Sequence, residues 1–162
     1  MAANIGLTDE QRRGVIQILN TLLADEYVLY TKTRNAHWNV VGPRFSQLHS
    51  FFEEQYRQLE QIVDDVAERV RSLDGRAWGT LQEFTEGTRL KEHPGSHPGA
   101  QEMLADLLAD QETIIRHLRE DLETCEKQYH DMGTNDFLTG LMEIHEKMAW
   151  MLRAHLEEDR SA

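Results

Sequence analysis

Residues 43–73 read PRFSQLHSFFEEQYRQLEQIVDDVAERVRSL, and the spacing of their apolar side chains decides the fold. Phe45, Leu48, Phe52, Leu59, Ile62, Val66, Val70 and Leu73 follow one another at intervals of three, four or seven, which places them on a single face of an α-helix. Pro43 suits the first turn of that helix, and Asp74 with Gly75 suits its end. The result is a rod of about eight turns with one apolar stripe. Such a stripe has to be covered by other elements.

Those elements lie on both sides. Towards the N-terminus, Thr8 and Gln11 make a capping box, and Val15, Leu19, Leu22, Leu29 and Thr33 keep a helical rhythm to about Ala36. Towards the C-terminus, a short apolar cluster of Trp78, Leu81 and Phe84 reads as a short extra helix, and the breaker-rich HPGSHPG (93–99) reads as a loop. Leu104, Leu107, Leu108, Ile114, Leu118, Leu122, Cys125 and Tyr129 then mark a third long helix. Leu138, Leu141, His145, Met148, Leu152 and Leu156 mark a fourth, after Gly133 and Thr134. No strand pattern or internal repeat is present. Four long amphipathic helices joined by one long central connection predict an all-α, antiparallel four-helix bundle of the one-crossover, ferritin-like type, with residues 1–162 forming one domain.

Composition narrows the function. A net charge of −12, from 29 acidic against 17 basic residues, repels bare nucleic acid on average. A single cysteine, Cys125, excludes an internal disulfide, and no N-terminal segment reads as a signal peptide, so the cytoplasm is the expected compartment. No apolar run approaches the roughly 18 residues that span a bilayer.

Against that background four residues stand out. His37, His49, Asp64 and Glu68 all carry metal-ligating side chains, at intervals of 12, 15 and 4. Asp64 and Glu68 are one turn apart on one helix face and can chelate together. His49 starts the same helix, with its backbone about 22 Å from that of Asp64 at 1.5 Å per residue, and His37 is tied to His49 by a short connection. One chain therefore holds two half-sites. A complete centre needs a second copy, laid antiparallel across a two-fold axis. Imidazole nitrogen with carboxylate oxygen suits Fe(II), Mn(II) or Zn(II), and Glu53, one turn after His49, would join or orient the histidine end.

The surrounding residues carry a resemblance. The segment LYTKTRNAHWNVVGPRFSQLHSFFEEQYRQLEQIVDDVAERV closely resembles the signature of the Dps family, the ferritin-like mini-ferritins, and the likeness extends to GTNDFLTGLMEIHEKMAWMLRAHLEE. The resemblance implies that His37, His49, Asp64 and Glu68 form a ferroxidase centre shared between two subunits. It also implies a hollow dodecamer that oxidises Fe(II), preferably with hydrogen peroxide rather than oxygen, stores the ferric mineral inside and protects against oxidative damage. Trp38 matches a tryptophan beside the family's centre, where it would donate an electron, although packing at the helix end is the simpler expectation. Tyr27, Tyr30 and Tyr56 read as core or interface residues. Asp131 and Asp136 fall where the family collects acids at an iron-admitting pore, with Glu143 a weaker candidate, and the pore is the preferred reading although helix N-terminal electrostatics alone would explain Asp136.

Other histidines carry less. His93 and His97 read as part of a Pro/Gly turn rather than a metal site, His117, His130 and His155 have no telling partners, and His145 reads as a satisfied core residue. Cys125 reads as buried and inert. DNA-binding members of the family commonly use basic tails, whereas here MAANIGLTDE has no basic side chain and EEDRSA is net acidic, so DNA binding is expected to be weak or absent. Two other functions stand beside the ferroxidase: a nucleic-acid-compacting cage that works without the metal centre, and a cage that sequesters zinc at the same residues.

Overall fold

The computed structural model describes residues 3–157, so Met1, Ala2 and all of the acidic EEDRSA segment except Glu157 lie outside the described residues. Five helices follow in order: α1 Asp9–Asn39, α2 Phe45–Ser72, α3 Leu81–Gly87, α4 Ala100–Lys127 and α5 Met132–Leu156. α1 packs along α2 and α4 along α5, and α3 lies across α1 within the crossover. The four long helices form the ferritin-like bundle, with no strand among the described residues.

The stripes are the core. Val15, Leu19, Leu22 and Leu29 of α1, Leu48, Phe52, Leu59, Val66 and Val70 of α2, Leu104, Ile114 and Leu118 of α4, and Leu138 and Leu152 of α5 are all buried. Phe45 is the exception in its stripe, largely exposed at the N-terminal end of α2, where the bundle no longer covers it.

The ends of the helices depart from expectation in informative ways. The Thr8 capping box forms, with Thr8 Oγ1 accepting from the Gln11 amide at 3.2 Å and the Thr8 amide donating to Gln11 at 2.8 Å. α1 runs three residues beyond Ala36, so His37 and Trp38 are helical. Pro43 stands before α2 in a turn closed by the Phe45 amide on the Gly42 carbonyl, 3.0 Å. At the other end of α2 it is Asp74 that takes the left-handed conformation (φ 63), while Gly75 allows close approach: a Cβ there would lie 2.8 Å from Ile16. Gly133 and Thr134 belong to the first turn of α5 rather than to the connection before it, because Asp131 caps the helix. In the crossover helix, Phe84 is buried while Leu81 faces outward, so the apolar cluster is smaller than its sequence suggests.

Polar residues of α1 hold the long crossover. Asn20 donates to the Arg76 carbonyl and accepts from the Trp78 amide, both at 3.0 Å. Fully buried Asp25 accepts from the Arg89 amide at 2.6 Å, from Thr88 Oγ1 at 2.9 Å and from Arg89 Nε at 2.7 Å, and Arg89 reaches on to Asp121 of α4. Lys32 donates to the Lys91 carbonyl and pairs with Asp110. An extended segment has no partners of its own for its backbone groups, and these side chains supply them.

Candidate metal centre

His37 lies in the last turn of α1, where the carbonyls lack helical partners, and His49 lies in the second turn of α2. The short Val40–Arg44 connection folds these turns together. His37 Nδ1 contacts the His49 carbonyl at 2.7 Å, and His49 Nδ1 contacts the His37 carbonyl at 2.8 Å. A carbonyl can only accept, so each Nδ1 must carry the proton and donate. In the neutral ring the lone pair then sits on Nε2 in both residues. The rings stack with centroids 3.7 Å apart and an interplanar angle of 21°. Backbone carbonyls fixing the tautomer and orientation of two histidines is the arrangement that ligand histidines require.

The pair sits in a column of aromatic rings. Phe45 stacks on His49 at 5.1 Å, Tyr56 meets His37 edge-on at 5.2 Å, and Tyr30 meets Tyr56 at 6.2 Å. Tyr27 follows at 5.9 Å from Tyr30 and stacks on Phe84 of α3 at 4.3 Å. Tyr27, Tyr30 and Tyr56 are thus half-buried packing residues, as read from sequence. Trp38 is not: it is 62 % exposed, with the Arg34 guanidinium 5.2 Å from its ring, so packing within the chain does not account for it.

Glu53 lies beside the histidines but is engaged by Arg57, at 2.6 and 3.0 Å. That hydrogen bond holds its carboxyl below the usual range, with smaller pulls from Arg57, His37 and His49. Asp64 and Glu68 are exposed on α2, one turn apart, without a hydrogen bond or ion pair among the described residues. The chain thus brings His37 and His49 together, keeps Glu53 one turn along α2 on Arg57, and leaves Asp64 and Glu68 far down α2. Among the described residues no three His, Cys, Asp or Glu side chains converge on one metal position.

The remaining candidates separate clearly. Asp131 is buried and fully engaged: its Oδ1 accepts from the Thr134 amide at 3.0 Å, its Oδ2 accepts from Thr134 Oγ1 at 2.6 Å, and Arg69 lies 3.5 Å away. It is a helix cap and an ion-pair partner, whereas Asp136 and Glu143 are exposed on α5. His145 is buried between Gln111 (2.6 Å) and Glu26 (2.8 Å), a satisfied core histidine. Burial pushes the Cys125 thiol up to about 12, which makes it unreactive. His93 and His97 line an open groove with Lys32, Trp38 and Asp106. No helix is long and apolar enough to cross a membrane among the described residues.

Sequence reading missed Arg34 and the part Tyr56 plays. Their signal was positional: Arg34 precedes His37 by three residues and Tyr56 follows His49 by seven, both helical same-face intervals.

Comparison with known proteins identifies the family and the fold. The ferritin-like domain family matches residues 16–162. A low temperature-induced protein of Nostoc is 51% identical over 154 residues, covering 95% of this chain and 86% of its own. DNA protection during starvation protein 2 of Bacillus anthracis is 36% identical, covering 89% of this chain and 97% of its own. The crystal structure of the Dps protein from Vibrio cholerae, described as a ferritin-like diiron-carboxylate protein, superposes with a TM-score of 0.89 at 31% identity, over 96% of this chain and 97% of that one. The matched domain, the starvation-protein relative and the superposition on a Dps crystal structure together show that the chain belongs to the Dps family of ferritin-like proteins.

Proposed function

We propose that the chain is an iron-detoxifying and iron-storing ferroxidase. His37 and His49 of one subunit and Asp64 and Glu68 of another bind Fe(II) at their interface. The observation that carries this reading is the reciprocal Nδ1 donation, which leaves two Nε2 lone pairs side by side and oriented before any metal arrives. The mixed nitrogen and oxygen donor set suits Fe(II) and, through its carboxylates, the harder ferric product. It lacks the thiolates common in closed structural zinc sites, and membership of a ferritin-like family favours iron over zinc.

Hydrogen peroxide is the preferred oxidant in this reading. Two Fe(II) ions supply the two electrons that one peroxide takes, so no odd electron is left to make hydroxyl radical. The ferric oxide-hydroxide collects inside a hollow dodecamer, the protons released pass to solvent, and exposed Asp136 draws cations towards an opening. Glu53 serves as a further ligand once Arg57 yields it. Trp38, exposed beside the histidines, is available to give up an electron if an oxidant escapes. The acidic chain does not compact DNA.

The test is complementation. One variant carries His37→Ala and His49→Ala, the other Asp64→Ala and Glu68→Ala. Each alone should oxidise Fe(II) no faster than buffer. Assembled together at random they should recover about a quarter of wild-type centres, since half of the pairs are mixed and each mixed pair has one intact centre. Ferric absorbance after anaerobic loading, with peroxide and air in parallel, measures it, and the iron should co-elute with a cage-sized particle. Full activity in either variant alone overturns the split centre, and zinc retained without iron oxidation overturns the ferroxidase.

A further inference from the structure

Arg34 is a charge without an ion pair among the described residues. Its Nη1 donates to the Tyr30 hydroxyl at 2.6 Å, and its guanidinium lies over the rings of Tyr56 (4.8 Å), Trp38 (5.2 Å) and Tyr30 (5.5 Å). Its Nε is buried with no hydrogen-bond partner. An arginine stays protonated at any physiological pH, so this cation persists in a half-buried place. Arg12, Arg69 and Arg89 are also sunk into the surface, and each faces an aspartate: Asp9, Asp131 and Asp25 respectively. Arg34 has no such ion pair; the Glu60 carboxylate pulls on its charge, but less than the Tyr30 hydroxyl and Tyr56 do. The nearby Glu53 is committed to Arg57. Aromatic faces hold a guanidinium in position, yet they do not neutralise it.

The position of this cation is telling. Tyr56 touches both Arg34 and the ring of His37, so the charge belongs to the histidine half-site. The other half-site, Asp64 and Glu68, has the opposite defect: two exposed carboxylates one turn apart with no cation of their own among the described residues. An antiparallel pair of subunits brings the two defects together. A planar guanidinium fork also matches a carboxylate in shape, which a lysine ammonium does not.

We propose that Arg34 is a positioning residue of the split centre: its guanidinium pairs with Asp64 or Glu68 of the partner subunit and holds the two halves together before metal binds. This rests on the shared centre proposed above. The pairing has a second consequence. A fixed positive charge among the ligands compensates the carboxylates in the empty centre and competes with an incoming cation, so it stabilises the metal-free assembly while moderating metal affinity.

A double-mutant cycle on the intact, metal-free assembly tests this. Arg34→Met keeps an apolar stem against the aromatic rings and removes the charge, while Arg34→Lys keeps the charge and removes the fork. Subunit exchange, followed by native mass spectrometry of mixed isotopically labelled assemblies, should be roughly tenfold faster in Arg34→Met and intermediate in Arg34→Lys. In an Asp64→Asn, Glu68→Gln background Arg34→Met should change nothing further. Cobalt(II), a redox-inert probe, should bind several-fold more tightly to Arg34→Met than to the parent. An Arg34→Met effect that is absent, or that persists undiminished in the background without the two carboxylates, overturns the pairing. Failure of the shared centre has a different signature: cobalt(II) binding would be unaltered by Asp64→Asn and Glu68→Gln themselves. Circular dichroism of each variant separates a folding defect from lost pairing, and Arg34→Lys then decides the matter if Arg34→Met does not fold.

Discussion

Two histidine–carboxylate constellations of this molecule behave oppositely. Glu26, Gln111 and His145 come from three helices and meet in the middle of the bundle, where both ring nitrogens of His145 are committed within the chain. His37, His49, Asp64 and Glu68 come from only two helices, and within the chain the histidines meet each other but not the carboxylates. In the first set the ring is spent on stability. In the second each ring spends one nitrogen on the backbone and leaves the other free. A histidine near an acid is therefore not in itself a functional signal. What distinguishes the two sets is whether a histidine ring nitrogen remains open after the chain has folded.

The comparison can be broken most forcefully at the closed set. His145→Ala leaves the Glu26 carboxylate buried and uncompensated, and should cost about 3–5 kcal/mol of stability. Chemical denaturation of the metal-free protein measures it; a loss below about 1 kcal/mol would place the core histidine among ordinary surface contacts. Asp64→Ala should do the reverse, changing stability by no more than about 0.5 kcal/mol while abolishing the fast phase of Fe(II) oxidation. If the two variants behave alike, the distinction between closed and open sets does not hold.

Acidification sharpens the contrast on a smaller scale. Protons compete with metal for Nε2 of His37 and His49 in the proposed centre, so cobalt(II) affinity should fall on acidification, by up to about tenfold per pH unit for each proton displaced. Isothermal titration at several pH values reads the slope, and a flat profile would remove the histidines from the ligand set. The smallest expected signal is at Cys125. With its thiol pushed up to about 12 by burial, iodoacetamide at pH 8 should leave it unmodified in the folded protein and alkylate it readily in denaturant, as followed by mass spectrometry.

Legibility varied with how local each feature is. The four long helices followed from apolar spacing because a helix repeats every 3.6 residues and its partners lie within a turn. Errors gathered at the ends. α1 outran Ala36, and Gly133 with Thr134 proved helical, because a cap is decided by which side chain reaches the free amides. Asp131 was such a case. Its carboxylate looks in sequence like a charge at a helix entrance, but Thr134 and Arg69, the latter 62 residues away, take it into the interior. Trp38 shows the opposite error, since a large aromatic ring at the end of a stripe invites burial that neighbouring turns do not provide.

Sequence by itself determined that the four candidate ligands are divided. A helix is stiff, so fifteen residues between His49 and Asp64 impose a separation that no folding of one rod removes. It also determined the amphipathic stripes and hence the bundle, because covering an apolar face is a demand that composition and period already express. Tertiary structure alone decided which nitrogen of each histidine is free, which acids are spent as caps, and that Arg34 rests on aromatic rings instead of a carboxylate. These depend on atoms brought within hydrogen-bonding range from separate helices, and such ranges are set by how the rods pack, about which periodicity is silent.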